Sequence, residues 1–400
     1  MKTRSVLLVL FVVLTSVALL SQRRAGDRSA GLRQRSLDRE AALAGDPFVG
    51  IRPPSGVEKG LFKIESSGVS TEPVREAAEK FLSVLSDTQR KKTVFPVDDP
   101  EWRQWMNQHF YVRKGVGFDE MDSSQRDAAF GLMRASLSAD GLKLSRDIMN
   151  LNRTLGELNN DNFAEYNEWL YWITVMGEPS EDKPWGWQID GHHLIINYFV
   201  LGDQVVMTPL FIGSEPVVAT SGKFKGTSIM QSEQDDALKL LRALSESQRS
   251  VAILESSKES NNNLSEAFRD NVVLDYAGLK VSEFSAAQKK QLLGLMALYV
   301  NNMDEGHAKL RMEEIEAHLD DTYFAWIGGS ADDSVFYYRI HSPVVLVEFD
   351  HQRPVGIRHL YPGVRLPIRE HVHAVVRTPN GNDYGKDLLR QHYGQSHSGD

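Results

Sequence analysis

The chain repeats a series of short patterns in the same order, once in each half. Residues 85–90 read Leu-Ser-Asp-Thr-Gln-Arg and residues 244–249 read Leu-Ser-Glu-Ser-Gln-Arg, each with the Ser-x-x-Gln spacing of a helix-capping box. The other matched pairs are residues 125–133 with 288–296, 185–196 with 336–347, and 205–209 with 375–379. Because the four matches keep their order along the chain, the sequence predicts an internal duplication.

Each copy has the pattern of helices followed by strands. Residues 71–235 and residues 236–400 each predict two or three amphipathic helices, an antiparallel β-meander and a closing helix. Segregation of helices from antiparallel strands is typical of the α+β class, and 400 residues exceed the usual limit for a single core. We therefore expect one integrated α+β domain made of two tandem pseudo-repeats.

The N-terminus has the pattern of an export signal. Lys2 and Arg4 precede an apolar run from Val6 to Leu20, which is shorter than the roughly 20 residues of a membrane-spanning helix. Residues 1–22 therefore predict a signal peptide, with a retained membrane anchor as the alternative, and residues 23–70 predict a flexible linker. We expect a periplasmic or secreted protein that meets the membrane only through this N-terminal segment.

Composition excludes two kinds of chemistry and one kind of partner. The chain has no cysteine, so disulfides and thiolate metal ligands are excluded. Its net charge is -9, and beyond the N-terminus no cluster of basic residues forms a phosphate-binding stripe, so we expect no nucleic-acid partner.

Candidate chemistry is concentrated in histidines, and the clearest pattern runs from Glu370 to Arg377. On a strand, His371, His373 and Arg377 point to one face while the intervening aliphatic residues point to the other. Two imidazoles at i and i+2 can bind one metal ion; the alternative is an ordinary solvated strand face.

Two further segments carry imidazole next to carboxylate. If residues 185–196 form a strand, Asp190 and His192 share one face and His193 takes the other, so one histidine joins Asp190 and the other is a buried hydrogen-bonding residue. Asp350 and His351 follow the apolar run 344–347, where they either border a site or form an ordinary polar strand end.

Imidazole and carboxylate ligands without thiolate suit iron, copper or zinc. Two histidines with one carboxylate suit non-haem iron, three histidines suit copper or hydrolytic zinc, and the sequence leaves both open. The candidate ligands are His192, His193, His371, His373, Asp190, Asp350 and His351.

A polar segment from Arg377 to Gly385 follows the His-x-His pattern. It predicts either a tight turn or a substrate-binding loop, in which Arg377 grips an anionic group and Asn380 or Asp383 orients it. A similar loop in the first half, which contains Glu215, would form the opposite wall. In the alignment of residues 185–196 with 336–347, His341 corresponds to Asp190. The substrate-binding candidates are therefore Arg377, Asn380, Asp383, Glu215 and His341.

Three segments carry a family resemblance: residues 185–194, residues 338–351, and His371-x-His373 running on to Gly385. They resemble the family known as domain of unknown function 3500, and the resemblance covers nearly all of the chain after the linker. What it implies is a family without an assigned activity, so it transfers no catalytic role.

Three functional hypotheses follow. The first is a metal-dependent enzyme, oxidative or hydrolytic, with His192, His371 and His373 as ligands and Asp190 or Asp350 completing or orienting the set. The second is a non-catalytic module that binds a small molecule, peptide or glycan. In the third the histidines are structural, and the surface serves partner binding. The metal-dependent enzyme requires that imidazole nitrogens of His371, His373 and one histidine of the 192–193 pair lie within roughly 3–4 Å of each other.

Overall fold

The computed structural model describes residues 31–43 and 45–396. The expected export segment, residues 1–22, lies outside them. None of the described helices is long and apolar enough to cross a membrane. Residues 31–43 and 45–47 group with residues 110–112 in one compact unit, and residues 48–109 with 113–396 form the other. In the smaller unit, residues 31–43 form helix α1, and the Tyr111 hydroxyl donates a hydrogen bond to the Glu40 carboxylate.

The larger unit contains a mixed sheet of thirteen strands, and its class is α+β, as predicted. The strands are β1 (Val94–Phe95), β2 (Val116–Gly117), β3 (Tyr171–Met176), β4 (Trp185–Gly191), β5 (Leu194–Leu201), β6 (Gln204–Val206), β7 (Leu210–Ser214), β8 (Ile253–Glu255), β9 (Leu279–Lys280), β10 (Tyr323–Gly328), β11 (Phe336–His341), β12 (Leu346–His351) and β13 (Val372–Arg377). The helices are α2 (Glu72–Val84), α3 (Asp87–Thr93), α4 (Ser123–Ser136), α5 (Ala139–Leu158), α6 (Gln231–Ala243), α7 (Glu246–Ala252), α8 (Ala286–Val300), α9 (Glu305–Ala317) and α10 (Lys386–Ser396).

The order across the sheet is β1-β3-β4-β5-β7-β13-β12-β11-β10-β8, with β2, β6 and β9 pairing beside β3, β5 and β10. All neighbours are antiparallel except β1 with β3 and β8 with β10, which are parallel. Strands β7 and β13 pair in the middle of this order, so the strands of the first half and those of the second join there.

The predicted capping boxes are present. Ser86 caps α3 together with Gln89, and Ser245 caps α7 together with Gln248. Each box satisfies two backbone N–H groups that a helix start otherwise leaves without a partner. The Ser-x-x-Gln spacing therefore located both helix starts from sequence alone.

The two faces of the sheet are covered differently. On the apolar face, Trp187 Nε1 donates to the Ser136 hydroxyl of α4, and the Tyr338 hydroxyl lies 2.5 Å from the Tyr299 hydroxyl of α8. On the other face, a short 3-10 helix (Pro100–Arg103) and irregular segments cover the strands, and Gln188 Nε2 donates to Trp102 O at 3.0 Å. Irregular backbone presents polar groups that need partners, which explains why this face carries buried polar side chains.

The linker expected over residues 23–70 is ordered in part. Besides α1, residues 48–70 are ordered as part of the larger unit, where Ile51 is fully buried and its carbonyl accepts from Asn380 N at 2.7 Å. Asp203 accepts a hydrogen bond from Ser67 N at 2.9 Å. These segments lack helical or strand periodicity because side-chain acceptors and single backbone contacts hold them, and such contacts leave no repeating pattern in a sequence.

Candidate metal centre

His192 and His193 form the two-residue turn between β4 and β5, not part of a strand. His193 has a φ of 64°, in the left-handed region that turns often use. The expectation that strand alternation separates the two side chains is therefore wrong, and their rings stack with centroids 4.0 Å apart. The conformation of this turn and its contacts therefore decide which of the two histidines lies close to His371 and His373.

The turn docks beside the His-x-His strand. Gly213 N donates to His193 O at 3.0 Å, and Gly213 lies directly opposite His373 in the β7–β13 pairing. The Tyr171 hydroxyl donates to His192 O at 2.9 Å. The tyrosine ring covers Gly191 so closely that a Cβ there would lie 2.0 Å from its Cδ1. These contacts hold the histidine pair against β13.

Three imidazoles converge at this point. His373 Nε2 lies 3.0 Å from His371 Nε2 and 3.2 Å from His193 Nε2, and ligand atoms of all three lie within 4.8 Å of one another. Ligands about 2.0–2.1 Å from a tetrahedral ion are about 3.3 Å apart. The structure brings His371 and His373 together with His193, and two of the three nitrogen pairs lie within the predicted separation of roughly 3–4 Å, while ligand atoms of all three residues stay within 4.8 Å.

The other ring nitrogens fix the tautomers of two of these residues. His371 Nδ1 lies 2.7 Å from Arg353 O, and His373 Nδ1 lies 2.7 Å from a Glu266 carboxylate oxygen. Both partners are acceptors, so each Nδ1 carries the proton and each Nε2 of a neutral ring offers a lone pair. A carbonyl or carboxylate behind the imidazole is the usual support of a metal-binding histidine.

Burial favours the neutral form of two of these rings. It lowers the pKa of His371 to about 4, and burial together with the neighbouring histidines lowers the pKa of His193 well below its usual value. Burial raises the pKa of Glu266, but His373 and the hydrogen bonds from His373 and Asn263 outweigh it, so that pKa is lowered and the carboxylate stays charged. Two lone pairs 3.0 Å apart repel unless a cation lies between them, so the residues fit a metal ion.

A family model described as "Protein of unknown function (DUF3500)" matches residues 67–386. The chain belongs to the DUF3500 family. The resemblance stated from the sequence is thereby confirmed. No curated protein and no solved structure matches this DUF3500 chain.

Around the three histidines, the DUF3500 chain places two more. His192 Nδ1 lies 2.8 Å from Asn152 Oδ1, and the His109 ring packs 5.5 Å from the His192 ring and 4.7 Å from Tyr166. His192 therefore lies in the layer behind His193 and not in the group that could hold a metal. His109 was missed by sequence reasoning, as was Glu266, because both come from irregular segments without periodicity.

The other candidate ligands of the DUF3500 chain form contacts away from the three histidines. Asp190 pairs with Arg113 Nε at 3.0 Å, and Asp350 forms a fully buried ion pair with Lys258 Nζ at 2.8 Å. Burial raises the pKa of Asp350 to about 6. His351 Nε2 lies 2.7 Å from Gln234 Oε1, and burial lowers the pKa of this histidine to about 3. Neither carboxylate joins the three histidines.

Arg377 and Asp383 lie in a buried network of the DUF3500 chain. Arg377 is fully buried, and it donates to Ser265 O at 2.8 Å and pairs with Asp270 at 2.9 Å and with Asp383 at 3.3 Å. Asp383 also accepts from Thr378 N at 2.7 Å. These contacts give both side chains a structural role, and the substrate role stays a prediction.

Asn380, His341 and Glu215 are likewise held by the protein. Asn380 Nδ2 donates to Pro343 O at 2.7 Å, and the His341 ring packs 4.5 Å from the ring of Tyr276. Glu215 accepts from Val355 N at 2.6 Å, and its carboxylate lies 3.7 Å from His371 Nδ1. Glu215 is therefore the one residue of the predicted substrate set that borders the histidine group.

Proposed function

We propose that this DUF3500 protein binds one transition-metal ion through Nε2 of His193, His371 and His373 and is a metal-dependent enzyme. The observation that carries the proposal is the 3.0 Å separation between two Nε2 atoms whose Nδ1 protons are committed elsewhere. In the neutral form of both rings neither Nε2 carries a proton, so a metal ion bound by both nitrogens explains the approach.

The number of ligands favours catalysis over a structural role. Structural zinc sites use four protein ligands, whereas catalytic sites use three and leave a position for substrate. In the part of the chain that the structure describes, the group has three members. Glu266, which contacts His373, keeps 26% of its side chain exposed, so this side of the group lies next to solvent.

Three imidazole ligands suit hydrolytic zinc or copper; the iron site of two histidines and a carboxylate has less support here. A bound zinc ion would act as a Lewis acid that polarises a substrate oxygen. Glu266 holds the His373 ring and makes its Nε2 a stronger donor to a metal. Arg377 donates to Glu266 O at 3.1 Å, so it positions the segment that carries this carboxylate.

A second candidate function is non-catalytic binding of a small molecule, and a cavity of about 410 Å³ favours it. Val376 lines this cavity and points to the opposite face of β13 from His373, so it is separate from the histidines. Its apolar wall includes Phe62, Tyr299 and Leu388. The volume is within the range of small-molecule sites.

Elemental analysis of the purified protein, before and after chelation and reconstitution, separates the two candidates. We expect one metal per chain in the native protein and in a His359→Ala control, whose side chain is exposed, and none in His371→Ala. Equal metal content in all three proteins, or no metal after reconstitution, contradicts the metal-centre proposal and leaves the cavity as the remaining candidate.

We also propose that the two halves arose by duplication. The sheet order supports this, because each half ends in a parallel edge pair and meets the other at β7 and β13. In the first half Gln125 Nε2 donates to Val84 O, and in the second half Gln288 Nε2 donates to Ala243 O in the same way. Superposition of residues 73–232 on 233–393 in an experimental structure tests it, and different folds would contradict it.

Finally, we propose from the N-terminal pattern that the protein is exported. Mass spectrometry of the native product is expected to find a chain that begins after residue 18 to 22. An intact Met1 in membrane fractions would support the anchor alternative, and a product confined to the cytoplasm would contradict export.

A further inference from the structure

The connection between β12 and β13, residues 353–369, exposes apolar side chains to solvent. Of the eleven large hydrophobic residues that are exposed among the described residues, four lie in this short loop. They are Val355, Leu360, Val364 and Leu366, with exposed fractions of 65%, 51%, 37% and 55%. Exposed apolar side chains concentrated in one segment of the chain favour a contact with another molecule.

The same loop is basic. It contains Arg353, Arg358, Arg365 and Arg369 together with His359, and no acidic residue, in a chain whose net charge is -9. Arg358 and Arg365 are exposed and form no ion pair with any residue of 31–43 or 45–396. The loop therefore presents positive charge next to apolar side chains.

The base of the loop is fixed, so these side chains are presented in a set arrangement. Glu215 accepts from Val355 N at 2.6 Å and from Gly356 N at 2.7 Å. Ile357 and Ile368 are buried against Leu155. The apolar side chains of the loop thus divide into a buried anchor and an exposed set.

We propose that residues 353–369 form a docking surface for an anionic lipid layer, which adds a second membrane contact to the N-terminal one expected from the sequence. Exposed aliphatic side chains beside arginines are the combination that inserts into the boundary between headgroups and acyl chains while the charges contact anionic lipids. A protein partner usually uses a strand edge or a helix face. The regular structure of this loop is limited to a single turn, Arg358–Leu360, which offers neither.

The loop also contacts the histidine group, because Arg353 O accepts from His371 Nδ1. Docking would hold the metal centre proposed above at the lipid surface, where amphiphilic molecules are its nearest substrates. That substrate class rests on the proposed function, whereas the docking itself does not.

The absence of cysteine from the sequence permits a site-specific test. Full-length Leu360→Cys is labelled with an environment-sensitive fluorophore, and full-length Leu254→Cys, at a residue 46% exposed, is the control. We expect a blue shift and shielding from an aqueous quencher for the label at 360 with vesicles containing phosphatidylglycerol, and not with phosphatidylcholine alone. The label at 254 is expected to stay unchanged. Both proteins keep the same N-terminal apolar run, so vesicle binding through that run affects them equally.

A charge reversal, Arg358→Glu with Arg365→Glu, is expected to weaken vesicle binding by at least about 25-fold, since each basic residue contributes about fivefold. Circular dichroism checks the fold, and unchanged metal content of this variant separates a failure of docking from a failure of the metal site. The proposal is overturned if the label at 360 shows no blue shift, or if the labels at 254 and 360 shift equally. It is also overturned if a copurifying protein, and not the vesicles, shields the label at 360 from the quencher.

Discussion

The hydroxyl of Thr208 lies 2.7 Å from the hydroxyl of Thr378, the residue that the repeated pattern matches to it in the second half. Each threonine precedes a proline, and both side chains are buried. A contact between matched positions is what a twofold relationship between two halves would produce at its axis. The pair therefore connects the sequence repeat with the central pairing of β7 and β13.

We expect the two threonines to be energetically coupled. Thr208→Val or Thr378→Val removes the contact between the two hydroxyls, and Thr378→Val also removes the acceptor of Arg311 Nη2 at 3.1 Å, so each is expected to cost about 1–3 kcal/mol of unfolding free energy. The double variant should cost less than the sum, by about 0.5 kcal/mol or more, in urea denaturation. Thr322→Val, at a buried threonine that bonds His318 O, is the control and should add to Thr208→Val without coupling. Additivity of the two threonines would contradict the coupling.

Metal binding is expected to distinguish His193 from its neighbour. Asparagine tolerates a positive φ, so His193→Asn keeps the turn while it removes a ligand, and we expect its metal content to fall close to zero. His192→Asn is the matched control, and it should retain metal because His192 lies behind the group. Inductively coupled plasma mass spectrometry measures both. The opposite result would exchange the roles of the two histidines.

Glu266→Gln is expected to weaken metal affinity by about 10–100-fold without abolishing binding. The amide keeps the size of the side chain but loses the charge that supports His373 Nδ1. Competition with a chromogenic chelator gives the dissociation constants. Glu165→Gln, at a half-exposed carboxylate 4.0 Å from His109, serves as the control and should leave the affinity unchanged.

Acid is expected to destabilise the fold through His351. Burial lowers the pKa of this residue to about 3, whereas it is about 6.5 in an unfolded chain. Below pH 6.5 the unfolded chain takes up a proton that the folded chain does not, so stability falls as pH falls, by about 2 kcal/mol between pH 6.5 and 5. Urea denaturation across this range should show a shallower pH dependence for His351→Gln. If the pH dependence of stability is the same in His351→Gln as in the unmodified protein, other titratable groups cause the loss of stability.

Much of this architecture could be predicted because it rests on local periodicity. The capping boxes at Ser86 and Ser245 mark helix starts, and alternation along β13 separates His373 from the aliphatic residues beside it. A shared face for His371 and His373 needs only strand geometry, so the candidate site could be located in the sequence.

What could not be predicted depends on turns and irregular segments. His192 and His193 lie in a turn, where alternation does not apply, so the choice between them required the fold. Glu266 comes from a segment whose backbone is held by Arg377, a contact between positions 111 residues apart. Asp350 looked like a ligand by composition, but the buried Lys258 beside it cannot be inferred from sequence spacing.

The pairing of β7 with β13 also sets a limit on dissection of the molecule. A fragment that ends at residue 235 carries His193 but neither His371 nor His373, and its β7 presents a row of unpaired N–H and C=O groups. The second fragment, which begins at residue 236, carries His371 and His373 but not His193. Its strand β13 lacks the partner strand β7. If the halves arose by duplication, as proposed, a single copy would have lacked this centre, because a site that takes one ligand from one half and two from the other has no equivalent within either.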